Sequence, residues 1–240
     1  MRAEHERLAE LMQLRQETLN FIVHDLRNPL NTVIAALDLI DLTGNCAANP
    51  RLAEFVALAR SGAQRILMLV DALLDVERLE EGSDALNVAP VELASLLEEV
   101  VVRTQPYAQT LEVTLHAILE ELPMLQADGQ RLDRVLTNLM DNALKFTPRG
   151  GEVTLEAKQQ DNWVLVSVND TGTGIPPDQR VRIFDRFVQA HIEGGRQVRR
   201  GFGLGLAFCR SAVAAHGGRI WVQDGRGGVG SRFVFALPVK

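Results

Sequence analysis

LTNLMDNALKFT, residues 136–147, decides the reading of this chain. It closes a segment, residues 130–146, that reads as a helix entered through Asp128 and Gly129. Asn138 and Asn142 are four residues apart and so share one helix face, with Lys145 about one turn further on. Alone, these polar residues describe the solvated face of an amphipathic helix. Two later segments change their weight. VNDTGTGIP, residues 168–176, places Asp170 after an alternating run and ahead of Gly172 and Gly174. GFGLGLAFCR, residues 201–210, opens a helix with Gly201, Gly203, Leu204 and Gly205. Together the three segments read as parts of one nucleotide pocket.

The chemistry supports that grouping. A carboxylate such as Asp170 accepts a hydrogen bond from the exocyclic amine of adenine and so rejects guanine. The glycines beside it let backbone approach a base closely. A plain turn after a strand also accounts for Asp-Thr-Gly. Backbone N–H groups at a helix N-terminus suit phosphate oxygens. GFGLGL is nevertheless neither a P-loop nor a dinucleotide fingerprint, because no Gly-Lys-Ser/Thr follows and the glycine spacing differs.

Outward from the pocket, the pattern predicts strands and helices in alternation. Residues 91–107 read as a helix and 111–116 as a strand. Val153, Leu155 and Ala157, then Val164, Val166 and Val168, read as a hairpin turning at QQDN. Residues 202–216 read as a helix stopped by Gly217 and Gly218. Ile220 with Val222, and Phe233 with Phe235 and Leu237, are the last strands. This predicts a mixed sheet with helices on one face. The first 80 residues differ. Leu19, Val23, Leu26, Leu30, Val33, Leu37 and Ile40 follow an alternating four-three spacing, and so do Phe55, Ala59, Gly62, Ile66, Leu69, Leu73 and Val76. GNCAANP, residues 44–50, is the turn between two long helices. A lone hairpin cannot cover both seams, and each buried Leu, Ile or Val contributes roughly 1.5–3 kcal/mol. Two hairpins joined in a four-helix bundle would cover them, so a homodimer is expected. EEGSD, residues 80–84, is the linker, with domains expected at 1–82 and 83–240.

Composition narrows the field further. The 240 residues are 46% hydrophobic and 23% charged, which suits folded domains rather than disorder. A formal net charge of -6 argues against nucleic acid as main partner. Cys46 and Cys209 form neither a disulfide framework nor metal-ligand spacing, and Cys209 reads as a core thiol. The cytosol fits best: no apolar run reaches membrane-spanning length, so no membrane contact is expected from this segment, and MRAEHERLAEL is not a signal peptide.

FIVHDLRNPLN, residues 21–31, adds the acceptor. His24 follows seam position Val23, which turns it away from a bundle core toward water. Its neutral imidazole is abundant at pH 7, given an unperturbed pKa of about 6.5. One ring nitrogen attacks phosphorus when the other gives its proton to a base. Pro29 crowds the carbonyl of Asp25 and removes a helix hydrogen bond, a local distortion costing about 3 kcal/mol or more.

The ordered set of four segments resembles the catalytic half of a sensor histidine kinase of a two-component system, from about residue 15 to the C-terminus. The resemblance implies an α+β, two-domain chain. A phosphoacceptor hairpin forms a four-helix bundle in the dimer and precedes an α/β sandwich of the histidine-kinase, topoisomerase and heat-shock-chaperone ATPase type. It implies His24 as phosphoacceptor, Asp25 as its base and Asn28 in removing phosphate from the regulator. It implies Asn142 as the Mg2+ ligand and Lys145 as a phosphate contact. ATP would further meet Asn138, Asp170, Gly172, Gly174, Phe187, Arg199, Gly201, Gly203, Leu204 and Gly205. Ile183, Phe184 and Phe187 resemble the family's aromatic segment ahead of a lid at residues 188–200, although Phe184 and Phe187 equally suit a core. Phe202 departs from the family, which more often has a small hydroxyl residue there. The implied partners are a second copy, a response-regulator receiver domain and an upstream sensor domain or sensor protein. No sensing domain is read in the sequence, so it is either an excised fragment or signalled by another protein. A non-catalytic ATP-binding dimeric scaffold, or an ATPase like the topoisomerase relatives, stays open as an alternative.

Overall fold

The computed structural model describes residues 86–186, 188 and 203–239, with helical positions 30–31, 33–35, 37–38, 40, 52–53, 55–57, 59–60, 62–63 and 66. The chain divides into two compact units, Met1–Arg78 and Leu79–Lys240.

In the first unit the described residues belong to two helical stretches, joined by an Arg60–Asp38 ion pair at 2.8 Å. Val56 and Ala63, seven residues apart, are each only 4% exposed. The neighbouring stripe expected to form a seam behaves otherwise. Phe55 is 68% exposed and Ile66 44%, while Ala59 and Gly62 are also exposed. One chain therefore covers one stripe of the second helical stretch and leaves the other bare.

In the second unit, strands and helices are numbered β1–β7 and α1–α3. They are β1 (Ala89–Val91), α1 (Leu93–Thr110), β2 (Thr114–Leu119), β3 (Leu125–Ala127), α2 (Gly129–Phe146), β4 (Glu152–Gln160), β5 (Trp163–Asp170), α3 (Gly205–Ala215), β6 (Arg219–Asp224) and β7 (Ser231–Pro238). A five-stranded sheet runs β2-β4-β5-β7-β6, and β1 pairs antiparallel with β3 in a small second sheet. Only β2 and β4 run parallel in the larger sheet, so it is mixed as expected. Alternation along β5 sends Val164, Val166 and Val168 to the helix-covered face, where all three are fully buried. Phe233, Phe235 and Leu237 on β7 join them.

The helices cover this face because their apolar residues recur at helical spacing. On α2, Leu132, Val135, Leu136, Leu139, Met140, Ala143 and Leu144 are buried, a three-one rhythm that makes one broad stripe. Asp128 caps α2 by accepting from Arg131 N at 3.1 Å. The helix ends where Thr147 turns extended ahead of Pro148. α3 stops at Gly217, whose φ of 75° few other residues tolerate; Gly217 N donates to Ala214 O and Gly218 N to Val213 O. Cys209 is wholly buried, and burial pushes its thiol up to about 12.

Some expectations move. Val91 pairs with Leu125 in β1 instead of opening a helix. α1 continues through Thr110, so β2 begins at Thr114 rather than at 111. α3 starts at Gly205 among the described residues, with Gly203 at φ 70° ahead of it. Phe184 is core, 4% exposed and edge-on to Phe233 at 6.3 Å.

Candidate functional site

Asp170 ends β5 and is 3% exposed. Its Oδ1 accepts from Gly172 N at 2.8 Å and Ser231 N at 3.2 Å. Among the described residues its Oδ2 makes no hydrogen bond. Burial raises the carboxyl above its ordinary pKa, against the opposing pull of the two N–H donors. Two glycines make this pocket possible. A Cβ on Gly230 would fall 1.9 Å from Asp170 O, and one on Gly172 would fall 2.5 Å from Phe146 O. The end of β5, the end of α2 and the turn before β7 thus meet at backbone contact.

α2 connects this corner to α3. A Cβ on Gly205 would lie 3.2 Å from the Asn138 side-chain oxygen, and the Asn138 side chain also neighbours Cys209 of α3. Asn142 follows one turn later and is half-buried; Lys145 is half-buried with Nζ 5.0 Å from the Phe146 ring centre. One edge of α2 therefore runs from the start of α3, at Asn138, to the Gly172 loop beside Phe146. Leu204, 2% exposed, precedes α3, whose first N–H groups have no partner within the helix.

The chain matches two family models along its length. Residues 14–82 match the His Kinase A phospho-acceptor domain, and residues 127–240 match the histidine kinase-, DNA gyrase B- and HSP90-like ATPase. The chain belongs to the sensor histidine kinase family. Among relatives of this family, the alginate biosynthesis sensor protein KinB of Pseudomonas aeruginosa is 36% identical over 228 residues, covering 95% of this chain and 37% of KinB. The adaptive-response sensory kinase SasA of Synechococcus elongatus is 32% identical over 247 residues, covering all of this chain and 63% of SasA. The chain thus spans less than two thirds of these curated relatives. Among solved structures, full-length ShkA in complex with AMPPNP matches with a TM-score of 0.79 and 35% identity, over 92% of this chain and 45% of that one. The ATPase match places the Asp170–α2–α3 corner in an ATP-binding domain. Among the described residues, no helix is long and apolar enough to cross a membrane.

Nine of the residues expected from sequence fall in the described region, and the backbone brings them to one edge of α2 and its neighbours: Asn138, Asn142, Lys145, Asp170, Gly172, Gly174, Gly203, Leu204 and Gly205. His24, Asp25, Asn28, Phe187, Arg199 and Gly201 lie outside the described residues. Sequence reasoning missed Gly230 and Ser231, which complete the Asp170 corner from 60 and 61 residues away. Their only signal was the glycine cluster at 225, 227, 228 and 230.

Proposed function

We propose that this chain is a histidine kinase core that transfers the γ-phosphoryl group of ATP to His24 and then to an aspartate of a response-regulator receiver domain. The observation that carries the nucleotide half is the one-sided use of Asp170. Oδ1 is held by two backbone N–H groups, which leaves Oδ2 to accept from the adenine amine. The residues present fit ATP in the remaining respects. Asn138, Asn142 and Lys145 line one edge of α2, and α3 offers an eleven-residue helix N-terminus at Gly205 for phosphate oxygens. Asn142 would hold Mg2+ through its amide oxygen, with the nucleotide phosphates completing a largely oxygen environment. That ion, when bound, supplies charge neutralisation of the phosphates.

In the transfer, a His24 ring nitrogen bonds to the γ-phosphorus while the bond from γ-phosphorus to the β–γ bridging oxygen breaks. ADP leaves, and Asp25 takes the proton from the other ring nitrogen. Such chemistry depends mainly on positioning and charge stabilisation, so Lys145 and Arg199 serve by cancelling phosphate charge. The regulator aspartate then takes the phosphoryl group from His24. Asn28, four residues after His24 in the sequence, a spacing that would put both on one stripe of a helix, orients a water that removes it again. Dimerisation is supported by the bare Phe55 and Ile66 stripe, which a second hairpin would cover.

Incubation with γ-labelled ATP tests this. Acid-labile, base-stable label should appear on the wild-type chain and vanish in His24→Gln, which should still bind ATP. Release of free phosphate without protein label would instead assign an ATPase.

A further inference from the structure

The sheet has a second face, turned away from the helices. Register places Glu156 opposite Ser167, Ser167 opposite Val234, and Val234 opposite Trp221. The next row holds Lys158, Leu165, Ala236 and Arg219. Ile118 on β2 pairs with Glu156 and extends the first row. Between these residues lies a groove of about 330 Å³ with an apolar floor of Ile118, Leu165 and Val234.

The groove has a charged wall. Glu156 takes ion pairs from both Arg226 and Arg232, the latter at 3.2 Å, and accepts from Ser167 Oγ at 3.4 Å. One carboxylate against two guanidinium groups leaves positive charge in excess. Arg232 Nε is buried and, among the described residues, has no hydrogen-bond partner. A buried donor without an acceptor costs free energy until one arrives. Beside the groove, Arg219 is stacked against two rings at once, 5.8 Å from the Trp163 centroid and 5.3 Å from that of Trp221. These are the only two tryptophans of the chain, and both stand on this face. Four cations, Lys158, Arg219, Arg226 and Arg232, meet two carboxylates, Glu120 and Glu156, on a protein of net charge -6.

We propose that this outer sheet face docks an acidic segment of a partner protein. A carboxylate of that segment bonds the exposed Arg226 and the part-exposed Arg232 guanidinium, while its apolar neighbours cover Ile118, Leu165 and Val234. Charge complementarity selects an acidic occupant. Extent selects a protein segment over a free small acid: from Ile118 on β2 to Trp221 on β6 the face crosses four strand spacings, about 19 Å. Tryptophan and arginine are also the side chains that contribute most at protein interfaces. This docking face is separate from the Asp170 corner, which lies on the helix side of the same sheet.

Because both tryptophans report on this face, their fluorescence reads its occupancy directly. The full chain is titrated with the synthetic peptide acetyl-Leu-Glu-Val-Glu-Leu-amide. A saturable change in emission is expected. Affinity should fall roughly tenfold or more when the glutamates are replaced by glutamines, since a charge-assisted bond is lost. Arg226→Ala should show the same fall with ATP affinity unchanged, because that exposed side chain lies outside the nucleotide pocket. Absence of a saturable change overturns the proposal. So does equal binding of the glutamine peptide, or an Arg226→Ala chain that binds the acidic peptide as well as wild type. Glutarate binding as tightly as the peptide would mark a free-acid site instead. An emission change on concentrating the protein alone would assign the face to a second copy; either result overturns the partner-segment assignment.

Discussion

Asp170 shows how one carboxylate serves two ends. Its Oδ1 anchors the Gly172 loop and the start of β7, so replacing Asp170 by alanine would disturb structure and recognition together. Asp170→Asn separates them. The amide oxygen can keep both backbone hydrogen bonds, while an NH2 group replaces the acceptor facing adenine. ATP affinity should drop by at least about tenfold, because a buried donor would then oppose a donor. Thermal stability should not fall, since a charge that burial disfavours has been removed; calorimetry with and without ATP separates the two effects. The sign with pH follows from the same burial. A carboxyl whose folded pKa lies above its unfolded value stabilises the fold most in acid. That contribution is lost as pH rises from the ordinary value through the raised one. ATP binding runs the other way and should weaken as pH falls through the raised value, where the neutral acid stops accepting at Oδ2. Asp170→Asn should lack that pH dependence. The role assigned to Asn28 belongs at this scale too. Asn28→Ala should keep His24 labelling and lose dephosphorylation of the phosphorylated regulator; loss of His24 labelling would place Asn28 in the kinase step.

At the scale of elements, α2 carries both the core and the pocket edge. Its buried stripe includes Leu136, with no exposed surface, one position from Thr137 and two from Asn138. Leu136→Ala should cost about 2–5 kcal/mol, the usual range for a buried leucine removed without repacking. Urea unfolding followed by tryptophan emission will measure this in the second unit alone, because Trp163 and Trp221 both lie there. The ends of α2 and α3 are tied by His216, whose Nε2 accepts from Asp128 N at 2.9 Å while Nδ1 meets Ala212 O at 2.8 Å. That pattern requires the Nδ1–H tautomer. His216→Phe keeps an aromatic ring at the site, slightly larger, but strands the Asp128 N–H, so a loss of at least about 1–3 kcal/mol is expected in the same assay. β6 and β7 meet at a turn that only glycine permits at 230, where φ is 73° and a Cβ would strike Asp170 O.

The whole molecule is two units with different demands. The second buries its own core and can complete the Asp170 corner by itself. The first leaves Phe55 and Ile66 bare on one stripe while Val56 and Ala63 are covered on another. A second copy would cover such a stripe in the bundle proposed above. Phe55→Glu should therefore convert a dimer to a monomer in sedimentation at micromolar concentration, with ATP affinity unchanged. A wild-type chain that is monomeric under those conditions would remove the bundle.

The sequence by itself determined the elements with strong periodicity and the residues set by local spacing. α2, with its Asp128 cap and its Asn138, Asn142 and Lys145 edge, was legible because helical contacts recur every three or four residues. The β4–β5 hairpin was legible because its alternation and its Asp161–Asn162 turn are local. The family resemblance, confirmed by two domain matches, rested on four short segments in order. The short β1 and β3 strands were not legible, since three residues carry too little pattern to be told from loop. Nor did Val91 announce itself as strand, because an apolar residue ahead of a helix suits either state. Only the tertiary structure decided that Ser231 and Gly230 close on Asp170, that Asn138 reaches Gly205 and Cys209, and that both tryptophans flank Arg219 on the outer sheet face. Those contacts join residues 61, 67, 71 and 58 positions apart or fix which side of the sheet a residue takes. Strand order and register set them, and neither is written in the spacing of a single segment.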